Sequence, residues 1–158
     1  MIKVTDNIFI GDSKDESRCN LDAWEIGAVL NVAHDLPRMH PFNSGLEYMQ
    51  VGLMDGPGNT LQNYSAAVLA LATLIGRCER VLVCCHDGGS RSVAVVTIYL
   101  ILKAGKISNH PTFLNYWVSW DRMLDKLRRD VGYPLLEPHA AHREAFDKLP
   151  LGALEMLL

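Results

Sequence analysis

Cys85 and Arg91 bracket the stretch with the most chemical content, Val83-Cys84-Cys85-His86-Asp87-Gly88-Gly89-Ser90-Arg91-Ser92. A buried-type strand, Arg80-Val81-Leu82-Val83-Cys84, ends at a cysteine, and a glycine-bearing loop follows it. A helix is predicted to open at the far end. In such a loop the backbone N–H groups of His86, Asp87, Gly88, Gly89, Ser90 and Arg91 turn inward as a nest for an anion, and the helix N-terminus adds its positive dipole end. Arg91 falls in the first helical turn, where its planar fork matches two oxygens of a tetrahedral oxyanion. The same field favours the thiolate of Cys85 over the thiol. One loop would hold a phosphate dianion and aim a sulfur nucleophile at its phosphorus. The implied reaction is phosphoryl transfer to cysteine, then hydrolysis.

Other phosphate cradles fit less well. The chain has no Gly-x-x-x-x-Gly-Lys-Ser/Thr and no Gly-x-Gly-x-x-Gly, which sets aside Walker nucleotidases and dinucleotide sites. A metal site built from Cys84, Cys85 and His86 is unattractive, because neighbouring strand residues point to opposite faces and no second Cys/His cluster completes a tetrahedron.

The loop resembles that of the cysteine-dependent protein tyrosine phosphatases, and within them the small dual-specificity phosphatases. The shared signature is Cys-x5-Arg, here Cys85 to Arg91. Its tighter form, Cys-x-x-Gly-x-Ser-Arg-Ser, is met at Cys85, Gly88, Ser90, Arg91 and Ser92. Ile8-Phe9-Ile10-Gly11 looks like the family's opening strand and Val29-Leu30-Asn31-Val32-Ala33 like its second segment, so the resemblance runs over roughly residues 5–130. Residues 131–158 resemble nothing further.

That resemblance implies roles. Cys85 is the nucleophile, and Arg91 with the loop amides holds the phosphoryl oxygens. Asp55, thirty residues before Cys85, falls where the family carries its general acid. It would protonate the leaving oxygen and then act as base on water, a task suited to a carboxyl on a Gly/Pro loop. Ser92, with its hydroxyl near the sulfur, would help the phosphocysteine break down. No metal or other cofactor is required, because Arg91 and the amides already neutralise the phosphate. One departure stands out: the family places His immediately before the nucleophile, and this chain has Cys84 there. Cys84 is either a redox partner of Cys85 or a small core residue, and the strain of bridging adjacent cysteines favours packing.

The bland readings differ. Asp55 also suits a plain turn before Gly56 and Pro57. Asp35, in His34-Asp35-Leu36-Pro37, is the rival acid. His86 and Asp87 are expected to rim the pocket, where an acidic Asp87 disfavours inositol lipids and polyphosphates. His139 and His142 are expected to be solvated, and Lys126-Leu127-Arg128-Arg129 to be a solvated helix end.

Positioning the loop calls for an α/β domain: a mostly parallel or mixed sheet of about four to five strands flanked by helices, in the manner of the protein tyrosine phosphatases. Ile8–Ile10, Ala28–Val32, Tyr48–Leu53 and Arg80–Cys84 read as strands. A short helix is predicted over Asn20–Gly27, with Gly27 as its stop. Another runs from a Thr60 cap through Leu61, Tyr64, Val68, Leu71 and Ile75 to a stop at Gly76. Ser92–Ala104 is ambiguous by periodicity, but its length, a Ser90 cap and a stop at Gly105 favour a buried helix. Phe113, Trp117, Trp120, Leu124 and Leu127 form one helical stripe, expected in the core. Pro138 suits the first turn of a last helix to about Lys148. The apolar tail Leu151–Leu158 either packs on the domain or makes a dimer contact, and packing is favoured.

The chain's 158 residues suit one domain over residues 1–158, with 49% hydrophobic and 21% charged residues and a mean hydropathy of +0.06. The net charge of −3 argues against nucleic acid as a partner. The longest apolar run, Val93–Leu102, is too short to span a membrane. Four cysteines, without a disulfide framework or a signal-like start, suit the cytoplasm. The expected protein is a monomeric, metal-independent phosphatase of phosphorylated proteins, acting on phosphotyrosine and also phosphoserine or phosphothreonine. The alternatives are a catalytically weak or inactive phosphopeptide-binding module and a phosphatase of a non-protein ester.

Overall fold

The computed structural model describes residues 1–37, 45–108, 119–132 and 136–158. Its five strands are β1 (Ile2–Lys3), β2 (Ile8–Gly11), β3 (Ala28–Ala33), β4 (Glu47–Leu53) and β5 (Val81–Cys84). They lie in the order β1-β2-β5-β3-β4, with β1 antiparallel to β2 and every other neighbour parallel. This is the expected mixed, mostly parallel sheet. The two residues of β1 are too few for any periodicity to reveal.

Strands buried on both faces read as unbroken apolar runs, and the sheet sorts them by the period of two. Ile8, Ile10, Ala28, Leu30, Val81 and Val83 enter the larger core. Phe9, Val29, Leu82 and Cys84 enter a smaller one with Leu21 and Ile26, next to α1 (Arg18–Ala23). Side chains of α2 (Leu61–Arg77), α3 (Arg91–Ser108), α4 (Ser119–Val131), α5 (Ala140–Phe146) and α6 (Leu151–Leu157) complete the larger core. The ambiguous apolar segment is thus helical, as its length suggested.

Three predicted stops are corrected. The first helix ends at Ala23, and the left-handed residue after it is Glu25 (φ 53°), while Gly27 donates its N–H to the Arg80 carbonyl at 3.0 Å. Gly76 and Gly105 both lie inside their helices, which run on to Arg77 and Ser108. Packing along a long helix outweighs the roughly 1 kcal/mol that one glycine costs it. Thr60 does cap α2, its Oγ1 accepting the Asn63 N–H at 3.2 Å.

Phe113 and Trp117 lie outside the described residues, but the rest of their stripe, Trp120, Leu124 and Leu127, is buried. Pro138 precedes the last predicted helix rather than starting it, and that helix is α5, capped by His139 Nδ1 accepting the Ala141 N–H at 3.1 Å. The apolar tail forms α6, which buries Leu151 and Leu154 and leaves Met156 and Leu157 exposed.

The parallel strands all end on one edge. Gly11, Ala33, Leu53 and Cys84 close them there, and the segments bearing Asp12, Asp35, Asp55 and Cys85 leave the sheet side by side. Sites in open parallel sheets form outside this carboxyl edge.

Candidate active site

Cys85 follows the central strand directly, so alternation sends Cys84 and Cys85 into different cores. The Cys84 thiol donates to Glu16 Oε1 at 2.8 Å, and burial pushes it well above its ordinary ionisation range. Burial also pushes the Glu16 carboxyl up, and the Asn31 amide donates to the same oxygen at 3.1 Å. Cys84 is therefore a packed, hydrogen-bonded residue facing away from its neighbour. Cys85 is 2% exposed, with Sγ 3.3 Å from Ser92 Oγ.

The loop between Cys85 and Arg91 is pressed onto the end of β2. The Cys85 N–H donates to the Gly11 carbonyl at 3.4 Å, and the Ser13 N–H donates to the His86 carbonyl at 3.2 Å. The turn depends on Gly88, whose φ is +70°. A Cβ there would lie 2.9 Å from both C and O of Gly11. Among the described residues, the N–H groups of His86 to Ser90 donate to no protein acceptor. The His86 and Asp87 side chains point outward as a rim, with His86 Nδ1 and Asp87 Oδ1 3.1 Å apart.

Arg91 opens α3 and is 2% exposed. Its Nη1 donates to the Asp35 carboxylate and, at 3.2 Å, to the Leu53 carbonyl, whereas Nε has no partner among the described residues. The guanidinium holds the Asp35 carboxyl below the usual carboxylate range. An ionised Asp35 has no proton to donate at neutral pH, so the rival acid is Arg91's counter-ion.

Asp55 leaves β4 on a turn whose glycines, Gly56 and Gly58, both have positive φ. Asn59 braces that turn: its Oδ1 accepts the Met54 N–H at 2.7 Å, and its amide donates to the Met54 and Gly56 carbonyls at 2.8 and 3.1 Å. The Asp55 side chain is 48% exposed, and Ser90 Oγ donates to its Oδ1 at 2.8 Å. That bond ties the Asp55 turn to the Cys85–Arg91 loop. Ser90 was expected to cap α3; its hydroxyl instead serves Asp55 and accepts the His139 N–H at 3.2 Å.

His142 corrects another expectation. It is fully buried rather than solvated, bonded through Nδ1 to Tyr64 Oη, with Nε2 3.8 Å from Asp55 Oδ1. Burial pushes His142 down to about 4 and Tyr64 up to about 12. Neither Asn59 nor His142 stood out in the sequence as part of the site. Asn59 had a signal, since Asx residues bond the backbone of tight turns. His142 had none.

Among the described residues, no three or more His, Cys, Asp or Glu side chains gather as a metal site requires, and no helix is long and apolar enough to cross a membrane. A family model for the catalytic domain of dual specificity phosphatases matches residues 8–116. No curated protein matches the sequence. Among solved structures, DUSP15 is similar at 18% identity and a TM-score of 0.75, covering 99% of this chain and 91% of its own. Human DUSP28 is similar at 20% identity and a TM-score of 0.74, with 100% of both chains covered. The Yvh1 phosphatase domain from Chaetomium thermophilum is similar at 19% identity and a TM-score of 0.73, covering 93% and 92%. At these identities the likeness is one of fold.

Proposed function

The chain belongs to the dual specificity phosphatase catalytic-domain family, and from that premise we propose that it hydrolyses phosphotyrosine, and phosphoserine or phosphothreonine, in proteins through a phosphocysteine intermediate. The observation that carries this reading is the Ser90–Asp55 hydrogen bond of 2.8 Å, which joins a carboxyl to the loop between Cys85 and Arg91. The amides from His86 to Ser90 and the Arg91 Nε, unpartnered among the described residues, are the donors that a phosphoryl group would satisfy.

In the first step the Cys85 thiolate attacks phosphorus as the bond to the leaving oxygen breaks, and protonated Asp55 gives that oxygen its proton. In the second, the Asp55 carboxylate takes a proton from water as the water oxygen attacks phosphorus. The S–P bond then breaks, releasing inorganic phosphate and returning the thiolate. Ser92, at 3.3 Å, donates to the departing sulfur. This chemistry asks nothing of a metal, and a sulfur nucleophile suits a reducing compartment such as the cytoplasm.

The test is hydrolysis of para-nitrophenyl phosphate and of phosphopeptides with EDTA present, for the wild type and Cys85→Ser. Turnover that chelation spares and Cys85→Ser abolishes is the expected result. Phosphopeptide binding without turnover under reducing conditions would instead make the chain a binding module.

A further inference from the structure

We propose that His142 is a positioning residue for Asp55: from α5, outside the residues that the family model matches, it holds one carboxyl oxygen so that the other carries the transferable proton. The inference rests on the phosphatase reading above and adds to it a residue from the C-terminal segment.

His142 is 0% exposed, yet its Nε2 has no hydrogen-bond partner among the described residues. The group it faces is Asp55 Oδ1, 3.8 Å away. Which nitrogen carries the hydrogen follows from the chain of bonds behind it. Among the described residues Tyr64 Oη neighbours the Asn59 amide nitrogen, at 3.4 Å, and His142 Nδ1; an amide nitrogen does not accept, so the phenol's hydrogen goes to Nδ1. Burial keeps Tyr64 protonated and the imidazole neutral at pH 7. A neutral imidazole has a single N–H, and with Nδ1 accepting it must sit on Nε2, towards Asp55.

Ser90 donates to the same Oδ1 at 2.8 Å, and the backbone N–H of His139 donates to Ser90 Oγ at 3.2 Å. Two donors therefore converge on Oδ1 from α5 and from the nucleophile loop. With Ser90 donating to it and the Nε2–H directed at it, Oδ1 is the carbonyl oxygen of the carboxylic acid, which leaves the acidic hydrogen on Oδ2. The remaining gap of 3.8 Å is longer than a hydrogen bond, and such contacts tighten when substrate closes the site. The Asp55 turn also lies against the same C-terminal segment: a Cβ on Gly56 would sit 3.7 Å from the His139 ring.

General-acid help matters in proportion to the basicity of the leaving oxygen. Phenyl phosphate releases a phenol of about the basicity of tyrosine and needs the proton, whereas 2,4-dinitrophenyl phosphate releases a stable anion and does not. His142→Phe is expected to lower kcat/KM for phenyl phosphate by about 10- to 100-fold, as a misplaced catalytic group does, and to leave the dinitrophenyl ester nearly unchanged. His142→Gln keeps an N–H near the Nε2 position and should recover most of the loss. Adding His142→Phe to Asp55→Asn should cost nothing further, because both remove one function. Should His142→Phe not fold, Tyr64→Phe removes the hydroxyl that sets the tautomer and should show the same selective loss in milder form.

An equal fall on both esters, or no fall on phenyl phosphate, overturns the proposal while Cys85-dependent turnover keeps the phosphatase reading. If the wild type turns over neither ester, both readings fall.

Discussion

Gly88→Ala should damage this protein far more than its single added methyl group suggests. The residue stands at φ +70°, a region that costs an L-residue about 1–2 kcal/mol. The new Cβ would also meet C and O of Gly11 at 2.9 Å and the Asp12 nitrogen at 3.2 Å. None of these is a flexible side-chain end. Gly11 is paired with Cys84 in the β2–β5 ladder and accepts the Cys85 N–H, so it cannot retreat without loosening the strand that carries the nucleophile. Overpacking of this kind costs about 1–3 kcal/mol, which brings the expected loss to about 2–5 kcal/mol. Urea unfolding would read it as a lower midpoint at unchanged slope. Gly76→Ala is the matched control, since it adds the same methyl at an exposed position of α2 with nothing within 4 Å, and it should stabilise by about 0.5 kcal/mol. Should the loop instead shift to relieve the clash, kcat/KM falls in place of stability. A loss below about 1 kcal/mol with kcat/KM intact would refute the loop geometry.

Other expectations follow from the same edge of the sheet. Asp55→Asn should lower kcat on phosphotyrosine peptides by about 10²- to 10³-fold while leaving orthovanadate inhibition in place, as steady-state kinetics would show. Asp35→Ala strips the carboxylate from a buried guanidinium and should cost about 1–3 kcal/mol in urea unfolding, less than a fully buried pair because Asp35 is 46% exposed. Since Arg91 lowers the Asp35 carboxyl in the folded state, that contribution is present above the usual carboxylate range and is lost as pH falls through the lowered value. Glu16→Gln has the opposite sign. Burial raises this carboxyl on folding, so wild-type stability declines as pH rises from the usual carboxylate range through the raised value. The variant should be the more stable at neutral pH, with the gain vanishing in acid, as unfolding measured from pH 3 to 8 would show.

What was legible in the sequence was local. The unbroken apolar runs Ile8–Ile10 and Val81–Val83 mark strands buried on both faces, and the strand period of two then says which side chains share a face. Cys85, Gly88, Ser90, Arg91 and Ser92 stand within one loop and one helical turn, so spacing alone brings Cys85 and Ser92 to 3.3 Å. Cys84 could be placed for the same reason: adjacent strand residues part company at the sheet. The glycine stops failed because a local cost competes with packing spread along a whole helix, and Gly76 and Gly105 lost that competition.

The two acids show where local reading ends. Asp35 and Asp55 each follow a strand and each precede a turn, so nothing nearby in the chain separates them. The order of the sheet does. β3 lies beside β5, which sets the segment after it next to the start of α3, and Asp35 becomes the partner of Arg91. β4 is one strand further out, and its turn is braced by Asn59 and joined to the loop through Ser90. His142 is more remote still. It meets Tyr64 across 78 residues, and one buried polar residue on a seven-residue helix leaves no periodic trace. Its burial depends on α5 docking over the site, a tertiary contact that the local sequence does not announce. The residues that attack and cradle the phosphoryl group are thus held close in sequence, while those that orient the acid, Ser90 apart, are supplied by tertiary packing. Substitutions at Tyr64, Asn59 and His142 should consequently separate leaving-group dependence from nucleophile function, which within Cys85–Ser92 only a change at Ser90, the residue bonded to Asp55, can do.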